Sequence, residues 1–155
     1  MAPRSSLFGR TLLLCLILLS GCTTAARITL PQGAGVRATP VDTLLAEHPM
    51  ASKQNILAVP LGQTDALSYH LVQIRMGETP HVHAAHDLTV ILVRGTGTLY
   101  VARQVVDMRT GDAAVIPRGT PHHFVNTGGV PAAAFVTFAP PYDGKDQVPV
   151  PETAD

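Results

Sequence analysis

The stretch Gly111-Asp-Ala-Ala-Val-Ile-Pro117-Arg-Gly119-Thr-Pro-His122-His-Phe-Val-Asn126 decides how the rest of the chain is read. A glycine opens it, an apolar run follows, Pro117 and Gly119 mark a turn, and a histidine then opens a second apolar run. Upstream lies Gly77-Glu-Thr-Pro-His81-Val-His83-Ala-Ala-His86-Asp87, which passes into an apolar stretch and ends at Gly95. Five of the seven histidines fall in these two segments. Imidazole is the commonest protein ligand for transition metals. Two histidines spaced i, i+2 on an extended chain point their rings the same way. A third from another strand can then close one face of a metal ion.

Working outward, no long segment has helical periodicity, and short apolar runs alternate with Gly and Pro. Strands are expected near residues 56–59, 67–76, 88–94, 98–103, 113–116, 122–126 and 132–138. Many short strands at regular spacing indicate an all-β sandwich or barrel. A short helix is expected from Asp42 to Glu47, with Asp42 as N-cap and Pro49 as a stop. The tail from Pro140 is expected to pack as an extended edge or to fray.

With glycine, proline, glycine, histidine and asparagine at this spacing, the second segment resembles a motif of the cupins, matched by Gly111, Pro117, Gly119, His122 and Asn126. The first cupin motif is matched in part by His81, His83 and Gly95. The resemblance covers roughly residues 56–140. It implies a single jelly-roll barrel with His81, His83 and His122 converging inside its mouth on a divalent metal such as Fe, Mn, Ni or Zn. The family also places a glutamate ligand with six residues between it and the closing glycine, and Leu88 stands there. Asp87 is adjacent and could serve if a bulge shifted the register. His86 is the other neighbour, and a site of three histidines and water is the remaining choice. Val90-Ile-Leu-Val93 is apolar on both faces, so strand parity cannot choose among them. Neutral imidazoles are needed for binding, so affinity is expected to fall below about pH 6.

The remaining polar residues have plainer readings. His48 and His70 read as surface or core histidines, and His123 should point away from His122. Asn126 suits a turn hydrogen bond. Tyr69, Gln73, Arg75, Tyr100 and Phe124 are candidates for lining the barrel, each with plain packing as the competing assignment.

At the N-terminus, Arg4 and Arg10 precede the apolar run Leu12–Leu19, which is too short to span a bilayer but suits a signal-peptide core. Leu19-Ser-Gly-Cys22 resembles a bacterial lipoprotein box, which implies a signal peptide over 1–21 and a diacylglyceryl group on Cys22. Two acyl chains suffice for stable anchoring. Thr23 follows Cys22, so an outer-membrane lipoprotein facing the periplasm is the expected destination. Residues 22–40 then read as a flexible tether and 41–155 as the barrel domain. Cleavage would remove Arg4 and Arg10, leaving nine basic residues against the eleven acidic ones. No basic patch remains, which argues against nucleic-acid binding. Cys15 would leave with the leader and Cys22 would carry lipid, so no disulfide is expected.

These observations leave three classes of function open. The first is a metalloenzyme for a small molecule, of oxygenase, isomerase or lyase type. The second is a non-catalytic ligand-binding or sensor lipoprotein. The third is a structural barrel whose site has decayed. A homodimer is compatible with all three.

Overall fold

A computed structural model describes residues 26–151. The expected leader and Cys22 lie outside the described residues. Strands β1 (Arg27–Gln32) and β2 (Gly35–Pro40) form a hairpin, and helix α1 (Val41–Glu47) follows. Then come β3 (Ile56–Gln63), β4 (Ser68–Ile74), β5 (His81–His83), β6 (Asp87–Arg94), β7 (Thr96–Val101) and β8 (Gln104–Arg109). The chain continues through β9 (Ala113–Ile116), β10 (His122–Asn126), β11 (Ala132–Ala139) and β12 (Gln147–Pro149). One sheet has the order β12-β5-β10-β7-β8 and the other β3-β4-β11-β6-β9, all neighbours antiparallel. The two sheets pack as a jelly roll.

The principal core lies between the sheets. Leu88, Leu92, Leu99, Met108, Ile116 and Phe124 are buried there. Leu88 and Leu92 alternate with Val90 along one face of β6, and the outward residues of that sheet meet a second core. This second core holds Ile28, Val41, Leu44, Val59, Leu71 and Ala133. The second core covers the outer face of this sheet over β3, β4, β11 and the Val93 end of β6, while Ile91 and Val115 stay exposed there, so apolar residues stand on both faces and the strands show no clean alternation.

The second core corrects the expected tether. From Arg27 onward the chain is paired, not free, with β1 and β2 in register from Arg27↔Pro40 to Gln32↔Gly35. Gly33, at φ 57°, allows the two-residue turn. Ile28 is buried and Leu30 packs against the same cluster. The small polar residues around them hid this alternation. Burying Ile28 removes an apolar side chain from water and contributes about 1.5–3 kcal/mol.

Two smaller differences have local causes, while the tail takes one of its two expected forms. Helix α1 begins at Val41, with Pro40 at its N-cap and Asp42 inside the first turn. The expected strand over 98–103 turns at Ala102, at φ 52°, into β8, a reversal that no Gly or Pro marks. The tail forms an edge strand, β12, on β5, with Gln147 opposite His83.

Candidate metal centre

His81 and His122 are direct cross-strand partners of β5 and β10, so their side chains rise from the same face. His83 lies two residues further along β5 and shares that face. The three ring centroids are 4.4 Å (His81–His122), 5.1 Å (His81–His83) and 5.6 Å (His83–His122) apart. One ligand nitrogen from each lies within 4.8 Å of the others. All three side chains are buried.

The hydrogen bonds around this triad determine which nitrogen is free. His81 Nδ1 donates to Thr79 O at 2.8 Å and His122 Nδ1 donates to Thr120 O at 2.9 Å. His83 Nδ1 donates to Asp146 Oδ1 at 2.9 Å. Carbonyl and carboxylate oxygens only accept, so each Nδ1 carries the proton and each Nε2 keeps its lone pair. Three neutral imidazoles with oriented free nitrogens are a donor set that fits a divalent transition metal.

Electrostatics favour the same protonation state. Burial lowers His122 to about 4, against the help its proton receives from Thr120 O. Burial also lowers His83, partly offset by Asp146. Burial opposes ionisation of Asp146 as well, yet the hydrogen bonds from His83, His86 and the Ala85 N–H outweigh it and hold that carboxyl at about 2. An ionised carboxylate behind a ligating imidazole fixes the ring and raises its basicity.

Asp87 is not part of this group, which corrects its expected place among the ligands. Its carboxylate is taken by Arg118, with Oδ1 accepting from the backbone N at 2.9 Å and from Nε at 3.1 Å, and Oδ2 from Nη2 at 2.7 Å. These bonds hold it at about 2 on the exposed side of β6. Strand parity explains the placement: Leu88 points into the barrel, so Asp87 must point out. No bulge falls between β6 and β9 to shift that register. His86 is not in the triad either. Its Nδ1 donates to Asp146 Oδ2 and its Nε2 faces Pro141 O at 3.2 Å, so both nitrogens are engaged. Asp146 nevertheless ties His86 to His83.

The triad opens onto a cavity of about 150 Å³ between the sheets. His83 and His122 stand on its wall with Glu78, Tyr142 and Gln147, and the rest is mainly apolar. Glu78 Oε2 accepts the Phe124 N–H at 2.9 Å, while Glu78 N donates to Phe124 O at 2.9 Å. The carboxylate thus satisfies a β10 N–H beyond the point where β5 has stopped pairing. Burial raises the Glu78 pKa, against the pull of His81. Tyr142 stacks on Phe138 at 4.5 Å and stands edge-on to His83 at 5.5 Å.

Sequence reasoning missed Glu78, Tyr142 and Asp146. Glu78 sits in a segment that reads as a turn, and Asp146 in a tail whose docking no local pattern reveals. Of the expected lining residues, Phe124 faces the cavity. Gln73 instead donates to His48 O and Arg75 to Gln54 O and Ala51 O. Tyr69 packs near Phe135, and Tyr100 stacks on His123 at 4.4 Å. Asn126 ties a turn together, donating to Arg75 O and Val130 O.

A β-jelly roll with a histidine cluster at its mouth defines the class of protein, and comparison with known proteins specifies it. A family model described as the cupin domain matches residues 70–138. A protein of Aquifex aeolicus is 38% identical over 106 residues, 68% of this chain and 87% of that protein; it is described as uncharacterized. The solved structure of KdgF from a Halomonas species is 26% identical with a TM-score of 0.56, covering 63% of this chain and 91% of that one. Pac13, described as a nucleoside dehydratase, has a TM-score of 0.55 at 20% identity, covering 64% of this chain and 82% of that one. The chain belongs to the cupin superfamily.

Proposed function

We propose that this cupin holds one divalent transition metal on His81, His83 and His122 and acts there on a small molecule, as an oxygenase, isomerase or lyase. The observation that carries the reading is the set of three Nδ1 hydrogen bonds, which leaves three imidazole nitrogens free beside a cavity. A metal at this point would supply Lewis acidity. The chain's own residues hold the imidazoles, exclude bulk water through the apolar wall, and place the Glu78 carboxyl in the same chamber. The Glu78 carboxyl, besides capping the Phe124 N–H, offers an acid or base group beside the triad, and this favours the enzyme over the sensor.

The test is metal analysis of the native-purified protein beside a variant with His81, His83 and His122 all changed to Ala. About one ion per wild-type chain, and none in the variant, is expected. Equal metal in both would place the ion elsewhere. Turnover of a small-molecule panel by the loaded wild type then separates enzyme from sensor.

We further propose attachment to the outer membrane, facing the periplasm, through a lipid on Cys22. The short apolar core and Leu19-Ser-Gly-Cys22 support it. Fractionation should find the wild type with membranes and Cys22→Ala released from them. A wild type already in the soluble fraction would refute the anchor.

A further inference from the structure

Glu78 has one oxygen committed and one uncommitted. Oε2 is bonded to the Phe124 N–H. Oε1 has no hydrogen-bond partner among the described residues, and no fully enclosed side-chain oxygen there is left unsatisfied. Oε1 must therefore keep some accessible surface, and the space beside Glu78 is the cavity. No Lys or Arg stands among the described residues that line this chamber. Its walls include Leu88, Leu92, Met108, Phe124 and Val136. A chamber of about 150 Å³ takes a benzene-sized guest.

We propose that the ligand of the metal centre is a small, uncharged, largely apolar molecule with two oxygen functions, one directed to the metal and the other hydrogen-bonded to Glu78 Oε1. This rests on the metal reading above and adds the ligand class and the residue that selects it. The metal's own charge would draw an anion, but no cationic side chain lines the chamber to share that charge and the Glu78 carboxyl faces the ligand, so an uncharged molecule suits the position beside Glu78. The apolar wall repays burial of a carbon skeleton at roughly 25 cal/mol per Å². A nucleoside is larger than the guest that about 150 Å³ takes.

The test uses the full-length protein loaded with Co(II), whose visible absorption reports ligand entry, in wild type and in Glu78→Gln. Glutamine keeps an oxygen for the Phe124 N–H, so the barrel should fold, and thermal unfolding checks this. Cobalt content is measured first. Guaiacol, a neutral phenol with a vicinal ether oxygen, is titrated beside salicylate, its anionic analogue, and uridine. Guaiacol should perturb the wild-type spectrum and uridine should not. The ratio of guaiacol to salicylate affinity should fall about tenfold or more in Glu78→Gln, the scale of one hydrogen bond made in a dry site together with relief of anion rejection. Full cobalt with an unchanged ratio, with no guaiacol response, or with a uridine response equal to guaiacol's overturns this assignment and leaves the metal reading standing. Loss of cobalt in Glu78→Gln alone makes Glu78 a metal ligand and also overturns it. Failure of the wild type to bind cobalt overturns both.

Discussion

Asp146 Oδ1 accepts a 2.9 Å hydrogen bond from His83 Nδ1 across a sequence separation of 63 residues. The same carboxylate takes His86 Nδ1 and the Ala85 N–H on its other oxygen. The C-terminal strand β12 therefore does more than close the edge of a sheet. It brings the anion that sets the tautomer of a metal-facing imidazole.

Removing that anion should loosen the site without emptying it. Asp146→Ala is expected to weaken metal binding by about 10- to 100-fold, the range seen when partners of ligating residues are lost. His86→Ala should cost less, because Asp146 would still hold His83. Competition with a calibrated chelator measures both. An Asp146→Ala variant with wild-type affinity would show that His83 needs no anion behind it.

Asp87 and Leu88 test strand parity. Asp87→Ala should leave metal affinity unchanged, because its partner is Arg118 on the outside of the barrel. Leu88→Glu sends a carboxylate into the chamber instead. It should tighten metal binding by supplying a fourth donor, and lower the stability of the metal-free protein by burying an unpaired charge. The same chelator titration, with urea unfolding, reads both effects. Weakened metal binding in Asp87→Ala would mean that β6 is rotated by one residue.

The acid limit should follow His122. Its folded value is about 4 against 6.5 for an unperturbed histidine. Below pH 6.5 the unfolded chain takes up a proton that the folded site refuses. The contribution of His122 is thus fully present above pH 6.5 and is lost as pH falls toward 4, on the order of 3 kcal/mol in all. Glu78, raised by burial, has the opposite sign: its contribution declines as pH rises past the ordinary carboxylate range. Urea midpoints of the metal-free protein should fall across pH 6.5 to 4, and His122→Gln should flatten that slope. His122 also remains neutral well below pH 6, so the loss of metal expected near there from an ordinary histidine is not set by this residue. An unchanged slope in His122→Gln would assign the acid sensitivity to another group.

Gly97 is required by close approach. A Cβ there would lie 2.0 Å from Phe124 Cζ and 2.5 Å from Val125 O. Phe124 lines the cavity and cannot yield without reshaping it. Gly97→Ala should cost about 1–3 kcal/mol by overpacking and weaken ligand binding as well. Denaturant unfolding reads the first effect. A neutral substitution would mean that β7 and β10 can separate freely.

What the amino-acid sequence determined by itself was local. Turn residues and apolar runs marked most strands, because Gly and Pro punctuate most reversals of the chain; the turn at Ala102 has neither and was not legible. The spacing of His81, His83 and His122 was legible because side-chain direction alternates along a strand and the turn before His122 has a fixed length. Only the tertiary structure decided the surroundings. Leu88 and Asp87 could not be assigned to faces because β6 carries apolar residues on both sides from Val90 to Val93, although its outer side is exposed at Ile91 and meets the second core only at Val93. Asp146 and Glu78 join the site through contacts between distant or unpaired segments. Such contacts depend on how the sheets close, and no spacing along the chain encodes that closure.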